Sequence, residues 1–167
     1  MLLSIFLCIA RCATESAGIG GFVTFGFDYK GSKQKLLTSL SIIVKTPPPQ
    51  NSNVDSTVVQ PTGYWIVATP THHELVVSVK APEGVIIEPQ THFIQYPFQS
   101  NIDFKIVGFS AIGQISTAQP DGSLIKVLSP LTVEVTNGKD ITLTSTTSDG
   151  TYNIGPLPPG EYTVSLK

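Results

Sequence analysis

Arginine is almost missing from this chain: Arg11 is the only one in 167 residues. Charge of either sign is sparse, at 13% of residues, and the net charge is −2. A surface with scattered Lys and no Arg lacks the clustered bidentate donors that phosphate and nucleic acid select, so nucleic-acid binding is set aside. Cysteine is confined to Cys8 and Cys12. The remainder of the chain therefore holds no disulfide framework and no Cys-based metal site. Long hydrophobic runs are also missing. The run Leu2 to Ala10 falls well short of the roughly 20 residues that span a bilayer. No long stretch carries apolar residues at helical spacing, and no Asn-x-Ser/Thr glycosylation sequon occurs.

What is present is an apolar fraction of 41% broken up by 13 Pro and 14 Gly. Many short segments punctuated this way predict an all-β protein. "MLLSIFLCIARCA" reads as a secretory signal peptide over 1–13, although no basic residue precedes its apolar core; a buried first strand is the alternative.

An internal repeat organises the rest. Gly63 plus 87 is Gly150, Trp65 plus 87 is Tyr152, and Val67 plus 87 is Ile154. The same step carries Glu74 to Glu161, Val77 to Val164 and Lys80 to Lys167, and also Gly21-Phe22 to Gly108-Phe109. "LSIIVKT" fits "LTVEVTN" at a step of 91, the drift being assigned to loops. A period of this size suits a small sandwich domain rather than a solenoid repeat. The expected architecture is two tandem immunoglobulin-like or carboxypeptidase-regulatory-like β-sandwich domains, over 18–106 and 107–167. The first domain continues past Lys80 through "APEGVIIEPQTHFIQYPFQSNIDFKI". By this arithmetic the second lacks about 25 equivalent residues, roughly two strands and their turns. It is expected to be incomplete, with a raw edge, in a fragment of a longer protein.

Alternation places strands near 20–27, 36–45, 56–60, 64–68, 74–80, 92–96 and 102–107 in the first domain. In the second they fall near 109–116, 131–136, 141–146, 151–154 and 161–166. "TPPPQNSN" is a solvated loop or, less simply, a polyproline ligand. Asp149-Gly150 predicts a two-residue hairpin turn, and Pro159-Gly160 a type II turn. Tyr162, Val164 and Leu166 are expected on one face, across the core from Leu131, Val133 and Val135.

Chemistry is thin. "GFSAIG" misses the nucleophile-elbow spacing, which leaves Ser110 an ordinary strand residue. His72 and His73 are adjacent, so an extended chain points them to opposite faces; His92 could join one of them, but no third ligand is evident. Lys105, Glu134 and Lys139 raise an adhesin-type isopeptide bond, on a weak pattern. Tyr64, Trp65 and Tyr96 are the candidates for stacking on a glycan, with Trp65 also readable as a core anchor. No catalytic set, cofactor site or metal site emerges.

"TTSDGTYNIGPLPPGEYTVSLK" resembles the end of a carboxypeptidase-regulatory-like (transthyretin-like) sandwich, with its Asp-Gly turn and Leu-Pro-Pro-Gly-x-Tyr phrase. More specifically, Glu83 to Ile115 is similar to the junction of the first two domains of the nodal modulator family. The residues concerned are Gly84, Glu88-Pro89, Asn101-Ile102-Asp103-Phe104, Gly108-Phe109-Ser110 and Gly113. "GGFV" at Gly20 to Val23 resembles that family's mature N-terminus. The resemblance covers nearly all the chain after the leader. It implies a non-enzymatic, lumenal rod of β-sandwich domains, anchored in the endoplasmic reticulum membrane by a C-terminal helix. It also implies association with a nicalin-like protein and a small multi-pass membrane protein at the translocon for multi-spanning proteins. This chain is shorter than such a family member and holds no anchor of its own. The alternative expectation is a carbohydrate-binding module of a secreted or lumenal protein.

Overall fold

A computed structural model describes residues 16–70, 74–97, 101–127, 131–138, 142–147 and 149–167. The expected leader at 1–13 lies outside them. The described residues are all-β apart from one five-residue helix. In order, the elements are β1 (Ser16–Phe25), α1 (Lys33–Leu37), β2 (Ser41–Lys45), β3 (Asn53–Val58), β4 (Tyr64–Pro70), β5 (Glu74–Lys80), β6 (Val85–Glu88) and β7 (Thr91–Gln95). They continue as β8 (Phe104–Gln114), β9 (Ser116–Ala118), β10 (Leu124–Lys126), β11 (Leu131–Thr136), β12 (Thr142–Thr147), β13 (Thr151–Leu157) and β14 (Thr163–Leu166).

The first sandwich packs a sheet of β1, β4, β6 and the start of β8 against the sheet β3-β2-β5-β7. Inward positions alternate along each strand, as a half-buried sheet demands. Ile42 and Val44 on β2, Leu75 and Val77 on β5, and Trp65 and Val67 on β4 are all buried. They join Ile19, Val23, Phe104 and Ile106 in one core cluster. A second cluster holds Val133, Val135, Ile154 and Leu157, with Ala111, Ile115, Leu143, Tyr152 and Tyr162 packed against it. Here the sheet β12-β11-β14 faces β13 and the end of β8.

The pairing registers expose the duplication residue by residue. Val44 pairs Val77 and Ile42 pairs Val79, while Val135 pairs Val164 and Val133 pairs Leu166. A step of 91 in the first partner and 87 in the second converts one pair set into the other. The opening strands depart from the step expected for them. Gly21 pairs Trp65, whereas Tyr152 pairs Gly113. Gly21 is thus equivalent to Gly113, a step of 92, and not to Gly108. The backbone bonds agree: Val23 N donates to Gly63 O at 2.8 Å, and Ile115 N to Gly150 O at 2.7 Å.

Several sequence expectations are corrected. The strand expected over 36–45 begins as α1, because Ser32 caps a helical turn: its hydroxyl accepts from Lys35 N at 3.3 Å. Leu37 and Leu40 then enter the core from this turn. The strands expected at 102–107 and 109–116 are one strand, β8. Gly108 does not break it. It marks a close approach, since a Cβ there would lie 2.9 Å from Pro156 Cβ and 3.0 Å from Leu157 O. The β9–β10 hairpin was not anticipated.

The Asp149-Gly150 turn is not a hairpin. β12 pairs β11 and β13 pairs β8, so the turn crosses between sheets, with Gly150 at a positive φ of 76°. Gly160 has no positive φ, so the loop before β14 is not a type II turn; Tyr162 Oη instead donates to Pro158 O at 2.8 Å. Val164 and Leu166 do not face Val133 and Val135 across the core. They sit beside them in the same sheet, on strands joined as neighbours rather than stacked.

Candidate functional site

The alternation of β4 decides the fate of the glycan candidates. Trp65, Val67 and Thr69 point inward and Tyr64 and Ile66 outward. Trp65 is 0% exposed and packs 6.3 Å from the Phe104 ring, so it offers no face to a sugar. Its Nε1 is buried without a hydrogen-bond partner. Tyr64 packs its ring on Phe22 at 5.4 Å, tilted by 54°. Tyr96 follows β7, in the opposite sheet. The three residues do not form one platform.

His92 is a half-buried structural group. Its Nε2 lies 2.9 Å from Asp103 O, and its ring stands edge-on to Phe104 at 4.9 Å. His72 and His73 lie outside the described residues. Among the described residues no cluster of three or more His, Cys, Asp or Glu could hold a metal, and no helix is long and apolar enough to cross a membrane. Ser110 lies within β8, its N–H donating to Gly84 O at 2.8 Å. Of the isopeptide candidates, Lys105 is exposed and Glu134 forms an ion pair with Lys167; Lys139 lies outside the described residues. The buried trio that such a bond needs is not assembled by Lys105 and Glu134.

The shifted carboxylates belong to turns. Asp149 is lowered to about 2, first by the Thr151 hydroxyl it accepts from at 2.6 Å, then by the Thr151 N–H at 3.0 Å; Lys126 adds its charge from 3.4 Å. Asp121 is lowered in the same way by the hydroxyl and N–H of Ser123. Both carboxylates are exposed, and the side chains that shift them are close in sequence apart from Lys126, so these are turn locks rather than acid–base machinery. A broadly open depression of about 450 Å³ is lined by His92, Phe93, Ile94, Gln95, Asn101 and Ile102, and another of the same volume lies beside β2 and β3, lined by Ile43, Lys45, Asn53 and Asp55.

The most built feature is the junction between the two sandwiches. The first residues of β8 pair in parallel with β1, from Val23↔Phe104 to Phe25↔Ile106, and its last residues pair with β13. β6 bridges the middle, with Val85 opposite Phe109. One strand therefore belongs to both sandwiches, with no linker between them. An aromatic cluster flanks it. Phe25 stacks on Tyr29 at 5.3 Å and 6°, and Phe109 lies 5.8 Å from both Phe27 and Tyr29. Lys33 Nζ sits 5.8 Å from the Phe25 ring centroid. Such ring pairs contribute about 0.5–1.5 kcal/mol each beyond burial. Sequence reading missed this cluster, although the period-two aromatics of "FGFDY" at 25–29 were its visible signal.

No family model and no curated protein matches the chain. Among solved structures, it is similar to the Bacillus anthracis TIE protein (15% identity, TM-score 0.41), covering 91% of this chain and 28% of that one. It is also similar to a streptococcal ancillary pilin (12%, TM-score 0.40), with coverages of 92% and 54%. A third is a DUF3823 family protein from Parabacteroides merdae (10%, TM-score 0.40), with coverages of 83% and 79%. The chain thus spans about a quarter and about half of the first two.

Proposed function

We propose that this chain is a non-catalytic spacer: a stiff segment of a lumenal β-sandwich rod that scaffolds membrane-protein biogenesis machinery in the endoplasmic reticulum. The observation that carries the spacer reading is β8, which runs unbroken from one core into the other. A shared strand leaves no flexible linker, the usual source of relative domain motion. The aromatic cluster on Phe109 braces the same point. The lumenal scaffold and its nicalin-like and multi-pass partners rest on the sequence resemblance at Glu83 to Ile115. The carbohydrate-binding alternative loses support because Trp65 is enclosed in the core.

The test has two arms. Residual dipolar couplings from both sandwiches should fit one alignment tensor, and inserting a Gly-Ser tetrapeptide after Gly108 should split them into two. Two tensors in the unaltered protein would overturn the spacer. The tagged chain, expressed in the secretory pathway, should recover the nicalin-like subunit from detergent-solubilised microsomes. Its absence from the eluate would leave a rigid spacer but remove the scaffold assignment.

A further inference from the structure

We propose that Asn137-Gly138, at the end of β11, is a self-modifying site. The Gly138 backbone nitrogen displaces ammonia from the Asn137 side chain, and water opens the resulting cyclic imide to aspartate or isoaspartate. The proposal does not depend on the spacer reading.

Three Asx-Gly pairs occur in the chain: Asp121-Gly122, Asn137-Gly138 and Asp149-Gly150. In each the glycine takes a left-handed φ, 82°, 96° and 76° in turn, which a residue without a Cβ adopts freely. The chemistry open to them differs. Imide formation at an aspartate needs a protonated carboxyl, so that water can leave. Asp121 and Asp149 are instead held ionised by the hydroxyl and N–H groups of Ser123 and Thr151. The Gly122 N–H is also engaged, donating to Gln119 O at 2.9 Å. Gly150 is buried, and a Cβ there would meet Val127 O at 2.7 Å. Asn137 carries no charge, and its amide nitrogen can leave as ammonia. Asn137 and Gly138 are both exposed, and nothing lies within 4 Å of a Cβ placed on Gly138. The Gly138 N–H donates to the Thr136 hydroxyl at 3.1 Å rather than to a ladder carbonyl, so its proton can be lost without breaking a strand bond.

The remaining asparagines are less suited. Val54, Ile102 and Ile154 follow Asn53, Asn101 and Asn153, and a β-branched side chain crowds the nitrogen that must attack. Ser52, after Asn51, crowds it less, but more than glycine does. The step balances with water as the only co-reactant. Hydroxide takes the Gly138 N–H proton, and the nitrogen bonds to the carbonyl carbon of the Asn137 side chain. The bond from that carbon to the amide nitrogen breaks, and ammonia leaves with a proton from water, which restores the hydroxide. Hydrolysis at either imide carbonyl then yields a carboxylate and adds one negative charge. Opening at the main-chain carbonyl gives isoaspartate, in which the main chain detours through the side-chain carbon. That detour falls directly after Thr136, the last residue of β11, which pairs with both Thr142 and Thr163.

The full chain is incubated at neutral pH and mapped by mass spectrometry. Asn137 should gain about one mass unit, with isoaspartate exceeding aspartate, as read by an isoaspartyl O-methyltransferase supplied with S-adenosylmethionine. Asn51 should convert at least tenfold more slowly, and neither Asp121 nor Asp149 should isomerise on that timescale. Raising the pH by one unit should speed conversion severalfold, as loss of the N–H proton requires. Hydroxylamine, which intercepts the imide, should cut the unaltered, folded chain between residues 137 and 138. Asn137→Gln should stop both the mass gain and the cut, with the far-ultraviolet circular dichroism unchanged. An Asn137 that stays intact in the folded chain yet converts in urea would overturn the proposal, because the turn would then forbid the attack. Equal conversion at Asn51, or no hydroxylamine cut in the folded chain, would overturn it as well.

Discussion

The two sandwiches share a pairing plan and differ in what it encloses. In the first, fifteen apolar residues form the buried cluster; in the second, four described residues do. Yet β2-β5 and β11-β14 repeat the same register, and the Val23–Gly63 backbone bond recurs as Ile115–Gly150. Pairing is local to a few strands and survives in both copies. Burial is collective. It depends on β6, β7 and the start of β8, which close the first sandwich by bringing Ile87, Ile102 and Phe104 into its core. The same valine can therefore be 0% exposed at Val77 and 46% exposed at Val164, with no change in its own strand.

The sharpest way to break this comparison is to truncate the equivalent pair Trp65 and Tyr152. Trp65→Ala should cost about 3–5 kcal/mol, the range for emptying a large aromatic site in a packed core. Tyr152→Ala, at a half-buried position, should cost less than half of that. Urea unfolding followed by circular dichroism measures both, and equal losses would mean that the two cores are not different in kind. Trp65→Phe should be far milder than Trp65→Ala, because it also removes the buried, unpaired Nε1–H.

A smaller effect should come from the crossover glycines. Gly63 and Gly150 have φ of 87° and 76°. A Cβ at Gly63 would lie 2.4 Å from Val23 O, and one at Gly150 would lie 2.7 Å from Val127 O. Each alanine variant meets about 1–2 kcal/mol of left-handed strain and a backbone clash besides. Gly122, at φ 82° with nothing within 4 Å, should show the strain alone. The expected order of loss in thermal unfolding is Gly63→Ala, then Gly150→Ala, then Gly122→Ala.

What the sequence disclosed was whatever alternation and turn chemistry write locally. The bounds of β5 and β11 and the duplication itself were legible, as was the β class. Spacing alone could not carry the opening strands. The glycine pair Gly21–Gly108 was an attractive match, but equivalence is set by which residue each glycine opposes. Gly113 lies under the Tyr152 ring, whose Oη would be 2.4 Å from a Cβ there, much as Gly21 opposes Trp65. α1 was hidden because Leu36, Leu37 and Leu40 fit a strand nearly as well as a turn of helix, and Ser32 alone distinguishes them. For the candidate site, "FGFDY" was legible as alternating aromatics. That it meets Phe109 was not, since the contact joins residues some 80 positions apart through the tertiary pairing of β1 with β8.

The smallest effect separates the crossovers by their chemistry. The first crossover, at Pro61-Thr62-Gly63, has no carboxylate; the second has Asp149, held to about 2 from an ordinary 3.8 chiefly by the Thr151 hydroxyl and N–H. A folded-state value below the unfolded one means that the carboxylate's contribution is full above the ordinary value. It is lost as pH falls through the folded value. Asp149→Asn keeps an acceptor oxygen but cannot titrate. The stability difference between the unaltered protein and this variant should therefore be constant above pH ~5 and close progressively between pH ~4 and ~2. A carbon-detected titration of the Asp149 carboxyl should give a midpoint near the lower end of that window. A midpoint near 3.8 would show that the Thr151 bonds do not hold in solution, and the two crossovers would then differ in sequence but not in how acid acts on them.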